Sequence, residues 1–183
     1  IYDVSFCQDG AAAMAAAVAE AFSPEASVDS VLAEARAAIV PISGREMLDL
    51  IDEALDLAAE TGGYEAFREA IYAKKGRFFR VPNCDARETI PLTLGLFRLA
   101  DGDTEKMVVY GANFGRDTDT IATMGGAIAG ALQGLGGIRT DWVDKARRLS
   151  GVDQDDLAER LMRTAWAKFE AQEPARRAFS ELN

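Results

Sequence analysis

The chain has 183 residues, of which 49% are hydrophobic, and its 20 basic and 30 acidic residues give a formal net charge of −10. This charge repels a phosphate backbone, and no apolar run approaches the roughly 20 residues needed to cross a bilayer, so we expect neither a nucleic-acid nor a membrane partner. Because the length suits one hydrophobic core, we predict a single all-helical domain over residues 1–183.

The predicted fold class is all-α. Apolar residues recur mostly at helical spacing, and no alternating run has a partner strand. The β-branched stretch 107–110 would also suit a strand, but nothing nearby could pair with it. In chain order, we predict helices at 9–22, 28–39, after Ser43, 64–74, 89–100, 104–112, 118–134, 140–149 and from Asp153 to Pro174.

Local signals mark several helix ends. Ser43 and Glu46 form a capping-box pattern, Pro91 suits the first turn of its helix, and Asp153 suits an N-cap, whereas Pro174 should end the last helix. Two apolar stripes are predicted to be core: Met47, Ile51, Leu55 and Ala58 in one helix, and Leu157, Leu161, Ala165 and Phe169 in the other.

Two short segments admit a ligand-binding interpretation. The basic and aromatic residues of 74–80 could contact an anion or a single nucleic-acid strand, although we favour a packed loop between helices. The sequence Asp101-Gly102-Asp103 suggests calcium, but it lacks the spacing and closing glutamate of an EF-hand. We therefore predict a turn in which Asp103 caps the next helix.

The composition narrows the available chemistry. The chain has no histidine, which excludes a Ser-His-Asp triad, His-ligated zinc and an imidazole base from these residues. Cys7 and Cys84 lie far apart without metal-ligand spacing, so we interpret them as reduced thiols of a cytoplasmic protein. Catalysis would have to depend on carboxylates, hydroxyls, the backbone or a hard cation.

The stretch from Asn113 to Gly134 contains the strongest candidate site. Asp117, Asp119 and Thr120 stand where a turn becomes an apolar helix. Neighbouring carboxylates repel each other unless a cation or hydrogen-bond donors stabilise them, and oxygen ligands favour Mg²⁺, Mn²⁺ or Ca²⁺. The structural alternative is that Asp117 caps the helix while the other two residues lie in its solvated first turn.

Glycines recur every four residues in the helix that follows. Gly126, Gly130 and Gly134 leave one helix face nearly bare. In a soluble, acidic chain this spacing predicts close packing against another helix.

The residues Gly115 and Asp117-Thr118-Asp119-Thr120-Ile121-Ala122, with the Gly/Ala-rich helix, are similar to the C-terminal metal motif of ADP-ribosylglycohydrolases. The likeness extends through Ile90-Pro91 and back to residues 5–10, and covers most of 4–142. It implies a compact orthogonal helical bundle of the ADP-ribosylglycohydrolase type. It also implies two Mg²⁺ ions, with Mn²⁺ as an alternative, between this motif and an N-terminal Thr-Asp-Asp motif.

By this resemblance, Asp117, Asp119 and Thr120 would be metal ligands, and Gly115, Arg116 and Phe6 would lie at the substrate. Many members have glycine in place of Arg116, which could pair with carboxylates or reach a substrate phosphate. Many have histidine in place of Phe6, which could stack on adenine or be an ordinary core residue. The catalytic carboxylate is not identified by the resemblance.

The implied reaction is Mg²⁺-dependent hydrolysis of the bond between ADP-ribose and a protein or small-molecule acceptor. We expect the Thr-Asp-Asp motif in a segment of the same protein N-terminal to Ile1, so residues 1–183 would hold half a site. Alternatives are a non-catalytic ADP-ribose-binding or structural relative, and a hydrolase of another N-glycoside. A phosphoryl-transfer aspartate pair of the haloacid-dehalogenase type would require a hydrophobic strand before Asp117.

Overall fold

The computed structural model of the chain describes residues 5–180. Every regular element in that range is helical, which confirms the predicted all-α class. The helices are α1 (Ser5–Ala21), α2 (Val28–Ala37), α3 (Arg45–Thr61), α4 (Tyr64–Ala73), α5 (Lys75–Phe78), α6 (Ala86–Ala100), α7 (Thr104–Asn113), α8 (Thr118–Gln133), α9 (Thr140–Leu149) and α10 (Gln154–Ser180), with a 3-10 turn at Leu135–Gly137.

The chain divides into two compact units, Ile1–Ile138 and Arg139–Asn183. The first contains α1 to α8 and the candidate site, and the second contains α9 and α10. The single domain over 1–183 stays a prediction. Among residues 5–180, no helix is long and apolar enough to cross a membrane.

Helix α6 is the centre of the first unit. It packs against α1, α3, α7 and α8, and every residue from Glu88 to Phe97 is buried. A helix that is apolar on all sides must be surrounded by others. Glu88 is the only charged residue in this buried run, and its exposed fraction is 0%.

The start of α6 corrects the predicted position of Pro91. The helix begins at Ala86 and not at residue 89, so Pro91 lies inside it and not in the first turn. The reason is the N-cap Asp85, whose side chain accepts a hydrogen bond from the Arg87 N–H at 2.8 Å. Its carbonyl oxygen also accepts the N–H of Thr89 at 3.0 Å, which closes a turn before the proline.

The predicted capping box at Ser43 is wrong. The N-cap of α3 is Gly44, without a side-chain cap bond, and the Ser43 hydroxyl donates instead to the carbonyl of Val40 at 3.5 Å. Glu46 pairs with the guanidinium groups of Arg80 and Arg87. Long-range ion pairs therefore replace the local capping contact. The stripe of this helix is confirmed as core, although Leu55 is only half-buried.

The last helix differs from prediction in two ways. Asp153 caps α10 as expected, accepting the N–H groups of the next two aspartates, but the helix continues through Pro174 to Ser180. The proline removes one hydrogen bond, which an exposed helix tolerates because water can solvate the free carbonyl. The predicted core stripe is exposed: Leu157 is 38%, Leu161 62% and Phe169 45% exposed, and Ala165 is also exposed. No described residue of α9 or α10 is buried, so the stripe has no core to join in this unit.

The glycine prediction holds at one of three positions. A Cβ at Gly126 would lie 3.1 Å from Cγ2 of Val108, so α8 does approach α7 closely there. At Gly130 and Gly134 nothing lies within 4 Å, so these positions do not support close packing. Gly134 is instead the C-cap of α8, with a φ of +69° that suits glycine.

The two segments that admitted a ligand-binding interpretation, 74–80 and 101–103, make contacts within the protein. Lys74 and Arg77 both bind Glu53 of α3, at 2.7 and 2.9 Å. The predicted loop is wrong, however, because Lys75–Phe78 forms the short helix α5. Asp103 caps α7 by accepting the Lys106 N–H at 2.8 Å, as predicted.

Candidate metal and substrate site

Asp117 is the N-cap residue of α8 by position, but its side chain makes no cap hydrogen bond. Its Oδ2 atom is buried and has no hydrogen-bond partner. A capping aspartate would accept an N–H from the first turn of the helix. The structural alternative, in which Asp117 serves as a side-chain cap, is therefore wrong.

The neighbouring candidates lie in the first turn of α8. Asp119 is exposed, while Thr120 is half-buried. The positive end of the helix dipole stabilises negative charge at this end. Across residues 5–180, no group of three or more Asp, Glu or Cys side chains is arranged to hold a metal ion. This motif therefore presents two carboxylates and one hydroxyl without further carboxylates from the described chain.

A tight turn precedes the motif and joins it to α7. Gly115 and Arg116 have φ values of +93° and +68°. A Cβ at Gly115 would collide with the Tyr72 hydroxyl, so the glycine is required both by its backbone and by its surroundings. Because α7 and not a strand precedes the turn, the haloacid-dehalogenase alternative is excluded.

Two side chains of α4 hold the start of this turn. Arg68 Nε donates to the carbonyl oxygen of Phe114 at 2.7 Å, and the Tyr72 hydroxyl donates to the same oxygen at 3.2 Å. Phe114 itself is fully buried and its ring packs near those of Phe67 and Tyr72. The backbone just before Gly115 is therefore anchored in the core.

Arg116 turns towards α6, where its guanidinium binds Glu88. Its Nε and Nη2 atoms lie 2.7 and 2.8 Å from the two carboxylate oxygens, and Nη2 also donates to the Arg80 carbonyl at 2.7 Å. Hydrogen bonding to the Glu88 carboxylate raises the pKa of Arg116 above its usual range. Of the two roles considered for Arg116, the structure shows pairing with a carboxylate.

Phe6 contacts the beginning of the same helix. Its ring is half-buried on α1, and the Arg87 guanidinium carbon lies 4.1 Å from the ring centroid. Arg87 is in turn bound by Asp85 and Glu46, whose hydrogen bonds raise its pKa. Because Arg87 and Glu88 are consecutive, the start of α6 contacts both predicted substrate residues, Phe6 and Arg116. Adenine stacking by Phe6 stays a prediction.

Two buried acidic residues were not among the predicted site residues. Glu88 lies just before the predicted start of its helix at residue 89, and its only signal is that it is the sole charge between residues 88 and 97. Asp9 is 4% exposed; its Oδ1 accepts the Val40 N–H at 3.1 Å, while its Oδ2 is buried without a partner. A single aspartate in an alanine-rich helix has no pattern that reveals such a contact.

The chain matches one known protein family over most of its length. A model of the family described as ADP-ribosylglycohydrolase matches residues 4–174, which include all the site residues discussed above. The chain belongs to the ADP-ribosylglycohydrolase family. This confirms the resemblance carried by the Asp-x-Asp-Thr segment, and it extends the matched region beyond residue 142.

Several curated proteins resemble this member of the ADP-ribosylglycohydrolase family. The "Uncharacterized protein YegU" of Escherichia coli is 34% identical over 125 residues, which cover 68% of this chain and 34% of that protein. Human "ADP-ribosylhydrolase ARH3" is 30% identical over 138 residues, or 70% of this chain and 34% of that protein. The zebrafish (Danio rerio) protein of the same name is 48% identical over 61 residues, which cover 33% of this chain and 16% of that protein.

The chain thus spans about a third of the length of the E. coli and human relatives that it matches. No solved structure matches it.

Proposed function

We propose that this chain supplies one half of the metal site of an enzyme that hydrolyses the glycosidic bond of ADP-ribose. Asp117, Asp119 and Thr120 are the proposed ligands of Mg²⁺, with two ions in the complete site and Mn²⁺ as an alternative. The observation that carries the proposal is the buried Oδ2 of Asp117, which has no hydrogen-bond partner.

The donor atoms fit a hard cation. A buried carboxylate oxygen without a partner is costly, and a bound cation would remove that cost. Two carboxylates and a hydroxyl offer only oxygen ligands, which suit Mg²⁺ and Mn²⁺ better than zinc or copper. Mg²⁺ usually retains several waters, so three protein ligands on one side are a workable half of a shell.

The proposed reaction consumes one water. A water oxygen attacks the C1″ carbon of the ribose, the bond from that carbon to the acceptor breaks, and the acceptor departs with a proton. When bound, the metal ions supply a positive charge that orients the ribose hydroxyls and makes the water easier to deprotonate. The contribution of this chain would be to present the carboxylates of Asp117 and Asp119 at the N-terminal end of α8.

The proposed substrate is an ADP-ribosylated protein or small molecule, and the proposed location is the cytoplasm. The remaining ligands and the base would come from a Thr-Asp-Asp segment N-terminal to the matched region. The name of the human relative, ADP-ribosylhydrolase ARH3, supports the ADP-ribose part of the proposal.

A non-catalytic ADP-ribose-binding relative is the second candidate. Metal and ADP-ribose binding without turnover would support this candidate.

The test uses the complete gene product that contains this chain. Calorimetry measures the affinities for Mg²⁺, Mn²⁺ and ADP-ribose, and release of ADP-ribose from a modified protein measures turnover. Asp117→Asn should weaken Mn²⁺ binding at least about tenfold and abolish turnover, because the neutral amide is a poor cation ligand. Asp103→Asn is the matched control, since Asp103 is the N-cap of α7 and its side chain does cap that helix.

In the control, metal affinity and turnover should stay unchanged. The metal proposal fails if Asp117→Asn binds Mn²⁺ as tightly as the unmodified protein. The enzyme proposal fails if the unmodified protein binds metal and ADP-ribose but releases no product.

A further inference from the structure

Arg116 adopts a backbone conformation that costs free energy for any residue with a side chain. Its φ is +68°, in the left-handed region, and it directly follows Gly115, which is also left-handed. Glycine would adopt this conformation without steric cost. Strained residues of this kind persist when surrounding contacts hold them, and they concentrate at functional sites. The side chain of Arg116 should therefore make a contact that offsets the strain.

That contact is a two-pronged ion pair with a fully buried carboxylate. Both oxygens of Glu88 accept hydrogen bonds from Arg116, at 2.7 and 2.8 Å. The guanidinium carbon also lies 4.5 Å from the ring centroid of Phe79. A planar guanidinium held by two parallel hydrogen bonds and an aromatic face has little rotational freedom.

Glu88 is itself held by contacts on several sides. Its carboxylate has no exposed surface, and its Oε2 also accepts the backbone N–H of Arg80 at 2.6 Å. The Arg80 carbonyl accepts a hydrogen bond from Arg116 at 2.7 Å. Arg116 is thus tied to α6 and to the segment before it through three hydrogen bonds.

The two ends of the turn are anchored to different helices. The Phe114 carbonyl is held from α4 by Arg68 and Tyr72, and the Arg116 side chain is held from α6. Asp117 directly follows Arg116 in the chain. Its buried Oδ2 makes no hydrogen bond. The orientation of this carboxylate therefore depends on the backbone that carries it.

We propose that Arg116 is a positioning residue, which acts through Glu88 to hold Asp117 in the orientation that binds the metal ion. This inference rests on the proposed metal site. An ion pair that serves stability alone would lower the melting temperature when removed, but the folded protein would bind metal as before. A positioning pair changes the metal affinity of the folded protein.

The experiment measures Mn²⁺ binding by electron paramagnetic resonance on the complete gene product, at a temperature where circular dichroism shows every variant folded. The variants are Arg116→Gln, Glu88→Gln and the double variant. Each single change should raise the Kd for Mn²⁺ about tenfold, the size seen when groups that orient metal ligands are removed. The double variant should match the single ones, because both residues act through one contact.

Two further variants sharpen the result. Arg116→Lys keeps the positive charge but cannot make two parallel hydrogen bonds to the Glu88 carboxylate. Compared with Arg116→Gln, it should therefore recover part of the melting temperature and little of the Mn²⁺ affinity. Arg36→Gln is the matched control: Arg36 makes the same two-pronged contact with Asp52, at 2.6 and 2.8 Å, between α2 and α3. Its Mn²⁺ affinity should stay within about twofold of the unmodified protein.

Three outcomes overturn the positioning role. The first is an unchanged Kd in the Arg116 and Glu88 variants, whatever their melting temperatures. The second is an about hundredfold loss in the double variant, which would mean that the two residues act independently. The third is an equal loss of affinity in Arg36→Gln.

Asp117→Asn separates this inference from the metal proposal. If Asp117→Asn abolishes Mn²⁺ binding and the Arg116 variants do not weaken it, only the positioning role fails. If Asp117→Asn has no effect, or the unmodified protein binds no Mn²⁺, the metal site and the positioning role fail together.

Discussion

The Tyr72 hydroxyl donates a hydrogen bond to the carbonyl oxygen of Phe114 at 3.2 Å, across 42 residues of sequence. This contact places the hydroxyl where a Cβ on Gly115 would have to lie. Tyr72 therefore anchors the turn before Asp117. Its hydroxyl also excludes every residue except glycine from position 115.

We expect Gly115→Ala to destabilise the first unit by at least about 2 kcal/mol, from the left-handed backbone and the collision with Tyr72. Urea unfolding measures the loss. Adding Tyr72→Phe should recover part of it by removing the hydroxyl. If the single variant is as stable as the unmodified chain, the turn does not have the described conformation.

Gly130 and Gly125 should respond oppositely to alanine. Nothing lies within 4 Å of a Cβ at Gly130, so Gly130→Ala should stabilise α8 by about 0.5–1 kcal/mol. A Cβ at Gly125 would lie 2.8 Å from Sδ of the buried Met107, so Gly125→Ala should cost about 1–3 kcal/mol. Thermal unfolding of the two variants checks both signs. Equal effects would contradict the described packing of α7 on α8.

Asp9 should stabilise the fold by accepting a hydrogen bond and not through its negative charge. Asp9→Ala leaves the Val40 N–H without its partner and should cost about 1–3 kcal/mol. Asp9→Asn keeps an acceptor oxygen and removes a buried charge, so it should be at least as stable as the unmodified protein. Chemical unfolding compares them. A large loss in Asp9→Asn would show that the negative charge itself has a partner.

The Asp85–Arg87 contact should make stability depend on acid pH. Hydrogen bonding to Arg87 lowers the pKa of Asp85, so the folded state favours the carboxylate more than the unfolded chain does. This stabilisation is present above the ordinary aspartate pKa of about 4 and is lost as pH falls through the lower folded value. Asp85→Asn should make the unfolding free energy depend less steeply on pH between about pH 5 and pH 3.

Asp49→Asn is the control for that measurement, because Asp49 lies 3.7 Å from Arg45 on an exposed helix face. Exposed pairs of this kind contribute little, so the pH profile should keep its slope. An unchanged slope in Asp85→Asn would contradict the assigned role of Arg87.

Residues 1–183 alone should bind Mg²⁺ more weakly than the complete gene product and should not release ADP-ribose. A pair of ions roughly 3.5–4 Å apart needs ligands from both sides, and this chain offers one side. Calorimetry and product release on the two proteins provide the comparison. Equal affinity and full turnover would refute the half site and direct attention to Asp9, Asp85 and Glu88 as further carboxylates.

The amino-acid sequence by itself determined the helical class, the order of the helices and the place of the motif. These features depend on contacts between residues three or four apart, which the apolar spacing records directly. The change from polar turn to apolar helix at Asp117 was therefore visible, as was the resemblance to ADP-ribosylglycohydrolases. The caps at Asp103 and Asp153 are equally local and were predicted correctly.

Only the tertiary structure decided what the polar side chains of the site contact. Glu88 and Arg116 are 28 residues apart, and Ser43 loses its capping role while Glu46 pairs with Arg80 and Arg87 across the fold. The exposure of the α10 stripe likewise depends on which surfaces are near it, not on its own spacing. A local pattern states that a side chain can cap, pair or be buried, but long-range packing selects the partner, because only the folded chain brings distant groups within hydrogen-bond distance.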